Sequence, residues 1–417
     1  MKIAVWHNLN SGGGKRALHQ QVKGLVERGH VVECWSPSTA DHSYLPLTSI
    51  ALEHVCPLAL PQEPKRSLSP TLAGARVLRR RLEALDAHAR LCAREIESRG
   101  FDIIFASPCV FFRAPAIARH TRLPTALYLQ EPYRPLYEAW PELPWLALPP
   151  ARRVSLRTAI RFAGDYVRVK ALRVQAREEV VSARAFTSIL VNSLFSRESV
   201  IRAYGIDAKV CYLGIDVSLF ADRGLPREPL VVGVGSVTPP KRIDFVIRAL
   251  AHLPEHQRRL LWIGNIVDQR YLDELTALAH RSKVTFEARI GIKDDEIVEI
   301  LNRAALMAYA PRLEPFGLAP LEANACGTPV VAVAEGGIRE TIVHGENGLL
   351  CEPDPKAMAA AIASLLNDTR LQRLMGAQAR RRVEAHWSTE AAVSRIECRL
   401  VEAIDLHRRE HLPGSTI

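Results

Sequence analysis

Short apolar runs alternate with segments whose apolar residues recur at helical spacing along most of the 417 residues. The first 36 positions set the pattern. KIAVWHNL is an apolar run of strand length, NSGGGKR a turn, ALHQQVKGLVERG a helix closed by Gly29, and HVVECWS a second strand. Strand, helix, strand is a βαβ opening, and its crossover implies a parallel sheet. FDIIFAS, TALYLQ and TSILVNS predict further strands, and SRESVIRAYG a helix ended by Gly205. A second series begins near residue 229. There PLVVGVGSV, RRLLWIGN, KVTFEAR, ALMAYAP and PVVAVAE predict strands, and the segments between them carry helical patterns. Such alternation predicts an α/β protein with two parallel-sheet, Rossmann-like domains. The turn-rich stretch 213–229 is the expected linker, with domains over 1–215 and 216–385 and a helical tail over 386–417. A chain of this length also exceeds one typical core.

Composition narrows the classes. With 48% hydrophobic and 24% charged residues, the chain reads as globular and soluble. A net charge of +10 favours anionic partners without choosing among phosphates, nucleotides, acidic lipid and nucleic acid. Nucleic acid is disfavoured, because the basic residues form no recognised module with interleaved aromatics. The eight cysteines include no C-x-x-C pair and lie mostly in apolar runs, which suits a reducing compartment. The apolar run at the N-terminus is too short for a signal peptide, and no apolar stretch has the length of a membrane span. A cytoplasmic protein is expected. No D-x-D and no H-E-x-x-H occurs, so neither a metal nor a cofactor is expected.

The segment EPFGLAPLEANACGTPVV (314–331) carries the most chemistry. Pro315 and Gly317 break the chain before LAPLEANA, which reads as a short helix stopped by Gly327 and Pro329. Glu314 then lies in the loop before a helix N-terminus, and Glu322 lies about two turns further on. Unpaired N–H groups at a helix start suit a phosphate, and carboxylates beside them accept hydrogen bonds from hydroxyls. Two carboxylates with a row of N–H donors match a nucleotide sugar. The competing reading is that Glu314 caps the helix and Glu322 is solvated.

This segment, continued as EANACGTPVVAVAEGGIRETIVHGENGLL, closely resembles the retaining glycosyltransferases of the GT-B fold, family 4 type. NSLFSRESVIRAYGIDAKVCYLGIDVSLF, VGVGSVTPPKRID and YLQEPYRPLYE resemble further segments of that family. The resemblance implies two Rossmann-like domains facing across a cleft, with a C-terminal helix returning to the N-terminal domain. It implies transfer of a sugar from a nucleoside diphosphate sugar to a hydroxyl acceptor, which in this family includes glycans, small molecules and lipid-linked groups. Glu314 would bind donor-sugar hydroxyls and Glu322 the ribose. The N–H groups of Phe316, Gly317 and Leu318 would meet the sugar and diphosphate. Lys241 would neutralise the leaving diphosphate. Arg289 and Ile290 would hold the base through their backbone. Gly13 and Gly14 in NSGGGKR would face the diphosphate and acceptor, and Gln130 and Glu131 the acceptor. A tight turn explains that glycine run equally well, and it lacks the Walker A pattern.

Two positions depart from the family. Its arginine five residues before the lysine falls on Ser236, and its histidine before the acidic residue falls on Gln130. Arg242 or Lys15 is the candidate replacement for the missing charge. These departures keep open a degenerate binding or regulatory subunit, and a nucleotide-sugar epimerase of the same fold is a further alternative. Finally, Arg153, Arg157, Arg161 and Arg168 share one side of a helical pattern next to Trp140 and Trp145. Such a stripe predicts either peripheral contact with an anionic membrane on its inner face, or a packed helix with a solvated basic side.

Overall fold

The computed structural model describes residues 1–61, 70–137 and 156–411. Trp140, Trp145 and Arg153 lie outside the described residues, as do the side chains of Arg157, Arg161 and Arg168, so the arginine stripe has no structural counterpart here. The chain forms two compact units. Met1–Val191, Ser196–Cys211 and Arg395–Ile417 make the first, and Asn192–Phe195 and Tyr212–Ser394 the second. The chain leaves the first unit at Cys211, just ahead of the turn-rich stretch 213–229.

The first unit runs β1 (Lys2–Asn8), α1 (Gly13–Glu27), β2 (Val31–Pro37), β3 (Leu52–Cys56), α2 (Pro70–Ser98), β4 (Ile103–Cys109), β5 (Thr125–Gln130), α3 (Arg134–Tyr137), α4 (Leu156–Arg184), β6 (Ser188–Val191), α5 (Leu194–Tyr204) and β7 (Lys209–Val210). Its seven strands lie in the order β3-β2-β1-β4-β5-β6-β7, and every pairing is parallel. All seven residues of β4 are buried. Helices cover both faces of such a sheet, so its strands read as unbroken apolar runs.

The second unit runs β8 (Glu228–Val234), α6 (Ile243–Leu250), β9 (Arg259–Gly264), α7 (Gln269–Arg281), β10 (Thr285–Ile290), α8 (Asp294–Arg303), β11 (Ala304–Tyr309), α9 (Leu318–Ala325), β12 (Val330–Val333), α10 (Ile338–Thr341), β13 (Gly348–Cys351), α11 (Pro355–Asn367) and α12 (Thr369–His386). Its strand order is β10-β9-β8-β11-β12-β13, again all parallel. The last helix, α13 (Thr389–His411), begins in the second unit and belongs to the first from Arg395 onward. Glu397 holds it there, accepting from Arg28 at 2.7 Å and pairing with His30 at 2.8 Å. Lys209 adds an ion pair to Glu402 at 3.2 Å. The tail is therefore the returning helix that the resemblance implies.

Sequence patterning missed β3, β7, β13, α2 and α11. β3 is a short outer strand, partly exposed, so it shows no continuous apolar run. α2 carries charges through most of its 29 residues and buries a stripe around Ala89, Cys92, Ala93 and Ile96.

Candidate active site

In a doubly wound sheet, ligands bind beyond the carboxyl ends of the strands where the strand order reverses. In the second unit that point lies between β8 and β11. The residues after β8 include Ser236, Lys241 and Arg242, and those after β11 include Glu314. The topology thus brings together two segments that lie about seventy residues apart in the chain.

Gly235 ends β8 with φ 153°, and its carbonyl accepts from the Trp262 indole at 2.8 Å. A Cβ there would lie 3.4 Å from Cδ and Cε of Lys241, so the glycine leaves space for the lysine stem. Lys241 ends a 3₁₀ turn ahead of α6, and Arg242 follows with φ 50°. A cation at a helix start needs an anion nearby. Lys241 Nζ finds one in Glu314 Oε2 at 2.8 Å, with 24% and 17% of the two side chains exposed. Arg242 reaches Glu335 at 3.2 Å. Ser236 shares a 2.9 Å hydrogen bond with the Thr238 hydroxyl and brings no charge to the site.

The loop carrying Glu314 is fixed from two sides. Phe316 is buried, with its ring against Tyr212 and Trp387 at centroid distances of 6.2 and 5.6 Å. Its side chain is therefore an anchor, and only its backbone can meet a ligand. From the other side come Gly336 and Gly337. The Gly337 N–H donates to the Glu314 carbonyl at 2.7 Å, and a Cβ on Gly337 would stand 2.0 Å from the Pro315 carbonyl oxygen. Leu313 N–H donates to Glu335 at 3.4 Å. The E-G-G triplet after β12 thus clamps the E-P-F loop and orients Arg242. Sequence reasoning assigned Glu335 no role, and the glycine pair beside it was the available signal.

α9 covers LAPLEANA as expected. Gly317 is its N-cap with φ 93°, and no side chain caps it. Gly327 follows the C-cap with φ 67°, the left-handed stop that a glycine provides. The competing reading of the two carboxylates fails on both counts: Glu314 does not cap α9, and Glu322 is only 9% exposed. Between them lies Tyr309, the last residue of β11. Burial pushes its phenol well above the ordinary tyrosine range, and hydrogen bonding to Glu314 and the charge of Glu322 push the same way. Burial and then the Glu322 charge raise the Cys326 thiol to about 12. Tyr309 stays a neutral donor beneath two carboxylates, and the sequence marked it only as a strand residue.

Arg289 and Ile290 end β10, two strands from the reversal point. They share the sheet edge with Gly235 and do not join the cluster. The Arg289 side chain is held by Glu287 at 2.7 Å and Glu296 at 3.3 Å, which leaves its backbone as the part available to a flat ligand.

The first unit repeats the topology, with its reversal between β1 and β4. Gly12 has φ 134° and begins α1 without a side-chain cap. Gly13 is exposed, and a Cβ on Gly14 would lie 3.3 Å from the Gln130 amide nitrogen. Gln130 has φ 63°, a left-handed conformation rare for glutamine and typical of residues held for function. Glu131 is placed between Arg113 at 3.7 Å and Arg134 at 3.8 Å. Gly14 and Gln130 are therefore close neighbours in the first unit. Lys15 is not a replacement cation. It is fully buried, and burial lowers its pKa while the Glu53 charge opposes that. Glu53 also lies 3.4 Å from His7 and accepts from Ser36 at 3.0 Å, so Lys15 belongs to an internal charge cluster. Burial there lowers His7 to about 4. Arg242 is left as the additional cation beside Lys241.

Residues 219–382 match the family model Glycosyl transferases group 1. A D-inositol 3-phosphate glycosyltransferase of Xylanimonas cellulosilytica is 30% identical over 247 residues, covering 54% of this chain and 59% of that protein. An N-acetyl-alpha-D-glucosaminyl L-malate synthase of Bacillus anthracis is 33% identical over 196 residues, covering 46% and 50%. The chain thus spans about half the length of the curated relatives it matches. Among solved structures, Anabaena HepE in complex with UDP and glucose superposes with a TM-score of 0.67 at 21% identity, over 96% of this chain and 99% of that one. The two-domain GT-B architecture expected from the resemblance is the observed fold.

Proposed function

We propose that the protein is a retaining glycosyltransferase that moves a sugar from a nucleoside diphosphate sugar to a hydroxyl acceptor without a metal ion. The observation that carries this is the Lys241–Glu314 pair at the uncapped start of α9, with Glu322 buried eight residues on. Lys241, Arg242 and the N–H groups of Phe316, Gly317 and Leu318 supply positive potential for a diphosphate. Glu314 accepts from sugar hydroxyls, and Glu322 from the ribose. As the anomeric C–O bond breaks, its electrons pass to the phosphate oxygen. Lys241 stabilises that charge, and the same oxygen takes the acceptor's proton while the new bond forms on the same face. Glu314 positions the sugar and does not attack it. The acceptor is assigned to the surface around Gly14, Gln130 and Glu131.

A thermal-shift screen of UDP-, GDP- and ADP-sugars tests the reading, since a ligand that binds only the folded state raises the midpoint. UDP-sugars come first, because HepE has been solved with UDP-glucose. Product anomers read by NMR then distinguish transfer with retention from epimerisation. The uncharged Ser236 favours one other reading, a nucleotide-binding subunit without turnover, which the same two measurements separate. Glu322→Ala is expected to weaken nucleotide binding by about 1.5–3 kcal/mol, the worth of a hydrogen bond to a charged acceptor, as measured by calorimetry with the bare nucleoside diphosphate. Unchanged affinity removes Glu322 from the ribose site. Turnover is expected to survive EDTA, and loss on chelation with recovery on adding manganese would assign the charge-neutralising role to a metal. A cytoplasmic location at the inner membrane face is part of the proposal. It is supported by the basic stretch 153–168, and no described helix is long and apolar enough to cross a membrane.

A further inference from the structure

A further unexplained feature lies in the first unit, and its lining shares none of the site residues described above. α2 and α4 enclose a cavity of about 740 Å³. Leu78, Leu82 and Leu85 face it from α2 at helical spacing, and Tyr166 and Val174 from α4. Trp6 and Phe112 also line it. Tyr166 and Val174 are 55% and 46% exposed, so the α4 side of the hollow is open to a ligand. Protein interiors pack like organic crystals, and an apolar space of this size falls within the roughly 300–1,000 Å³ of small-molecule sites.

The charges around the cavity select the ligand. Three carboxylates line it, and each is already matched. Glu83 pairs with Arg79 at 2.9 Å, and Glu178 with Arg119 at 3.1 Å. Asp86 pairs with His120 at 2.7 Å and Arg90 at 3.1 Å. Lys170 is the remaining lining cation. Its ammonium stands 4.7 Å from the Tyr166 ring centroid, and among the described residues no carboxylate pairs with it. The lining therefore combines a leucine-rich hollow with one cation left over.

We propose that this cavity binds a single acyl chain ending in an anionic group, with the chain between α2 and α4 and the anion on Lys170. Hydrocarbon burial supplies affinity that grows with chain length, since each further methylene is removed from water. Lys170 supplies selectivity for acids over neutral lipids. The site lies within one unit and needs no sugar donor, so it stands or falls independently of glycosyl transfer.

The test uses the full-length protein and cis-parinaric acid, whose fluorescence is read by energy transfer from tryptophan. Dodecanoate, palmitate, 1-palmitoyl lysophosphatidate and hexadecanol serve as competitors. Palmitate is expected to displace the probe at least tenfold better than dodecanoate. Val174→Phe, at a half-exposed position that tolerates bulk, is expected to reduce probe uptake at least tenfold with an unchanged melting midpoint. Ala171→Phe is the second filling variant. Lys170→Glu is expected to weaken both anionic lipids about fivefold or more and leave hexadecanol unchanged. Stronger competition by lysophosphatidate than palmitate assigns a phosphate head, and the reverse a carboxylate. No probe uptake, or uptake unchanged in both filling variants, overturns the proposal. Equal weakening of hexadecanol in Lys170→Glu overturns the role of the charge. A concentration-dependent doubling of mass without uptake would give the cavity to a second copy of the chain and overturn it as well.

Discussion

Lys241→Met is expected to lower kcat by about 10²–10³ while changing the KM for the donor much less. Removing one preorganised group aimed at developing charge costs about 2.7–4 kcal/mol of transition-state stabilisation. The charge on a diphosphate rises as the glycosidic bond breaks, so most of the loss falls on kcat. Methionine keeps the stem that packs on Gly235 and removes only the ammonium. The substitution also leaves Glu314 without its 2.8 Å partner, and Glu314 is only 17% exposed. The double variant Lys241→Met with Glu314→Gln, measured beside Glu314→Gln alone, separates the two effects. If the single loss comes from the uncompensated charge of Glu314, the double variant matches Glu314→Gln in turnover. If it comes from the missing cation, the double variant falls well below it. A kcat within threefold of the parent protein would remove Lys241 from the chemistry.

Gly337→Ala is expected to disable the site by displacing the E-P-F loop that it backs. Its Cβ would stand 2.0 Å from the Pro315 oxygen and 2.7 Å from the Pro315 carbonyl carbon. Both are backbone atoms, so no rotamer change relieves the clash. Overpacking of this kind costs about 1–3 kcal/mol, which for a unit of this size lowers the midpoint by several degrees. The loop must shift, taking Glu314 and the start of α9 with it. Nucleotide affinity should therefore fall together with thermal stability, and a bound nucleotide should protect the variant less than the parent. Gly345→Ala is the control, since it also replaces a glycine in a loop but meets nothing within 4 Å. Its φ of 83° predicts a modest loss of stability with affinity intact. Equal nucleotide affinity in the Gly337 variant would show that the clamp does not set the loop.

These outcomes bear on a site that was partly legible in the chain. Glu314, Glu322 and Gly317 stood out because turn residues, a helix of set length and acids at fixed offsets are local features, whereas Lys241 came from the family resemblance. The same locality made most strands readable, since strands buried on both faces are continuous apolar runs. By itself the sequence determined the α/β class, the two series of βα units, the extent of α9 and the charged groups on offer. Tertiary structure decided which of them meet. Parallel pairing of β8 with β11 brings Lys241 to Glu314 across seventy residues, and no local pattern encodes that distance. It buried Lys15 beside Glu53 and so withdrew it as a replacement cation. It seated Tyr309 beneath two carboxylates and set Gly337 against Pro315. It also opened a hollow between α2 and α4, two helices far apart in the chain. Local sequence specifies which groups exist and the angles their backbone adopts. The distance and burial that turn those groups into a site arise only when strands far apart in the chain lie side by side.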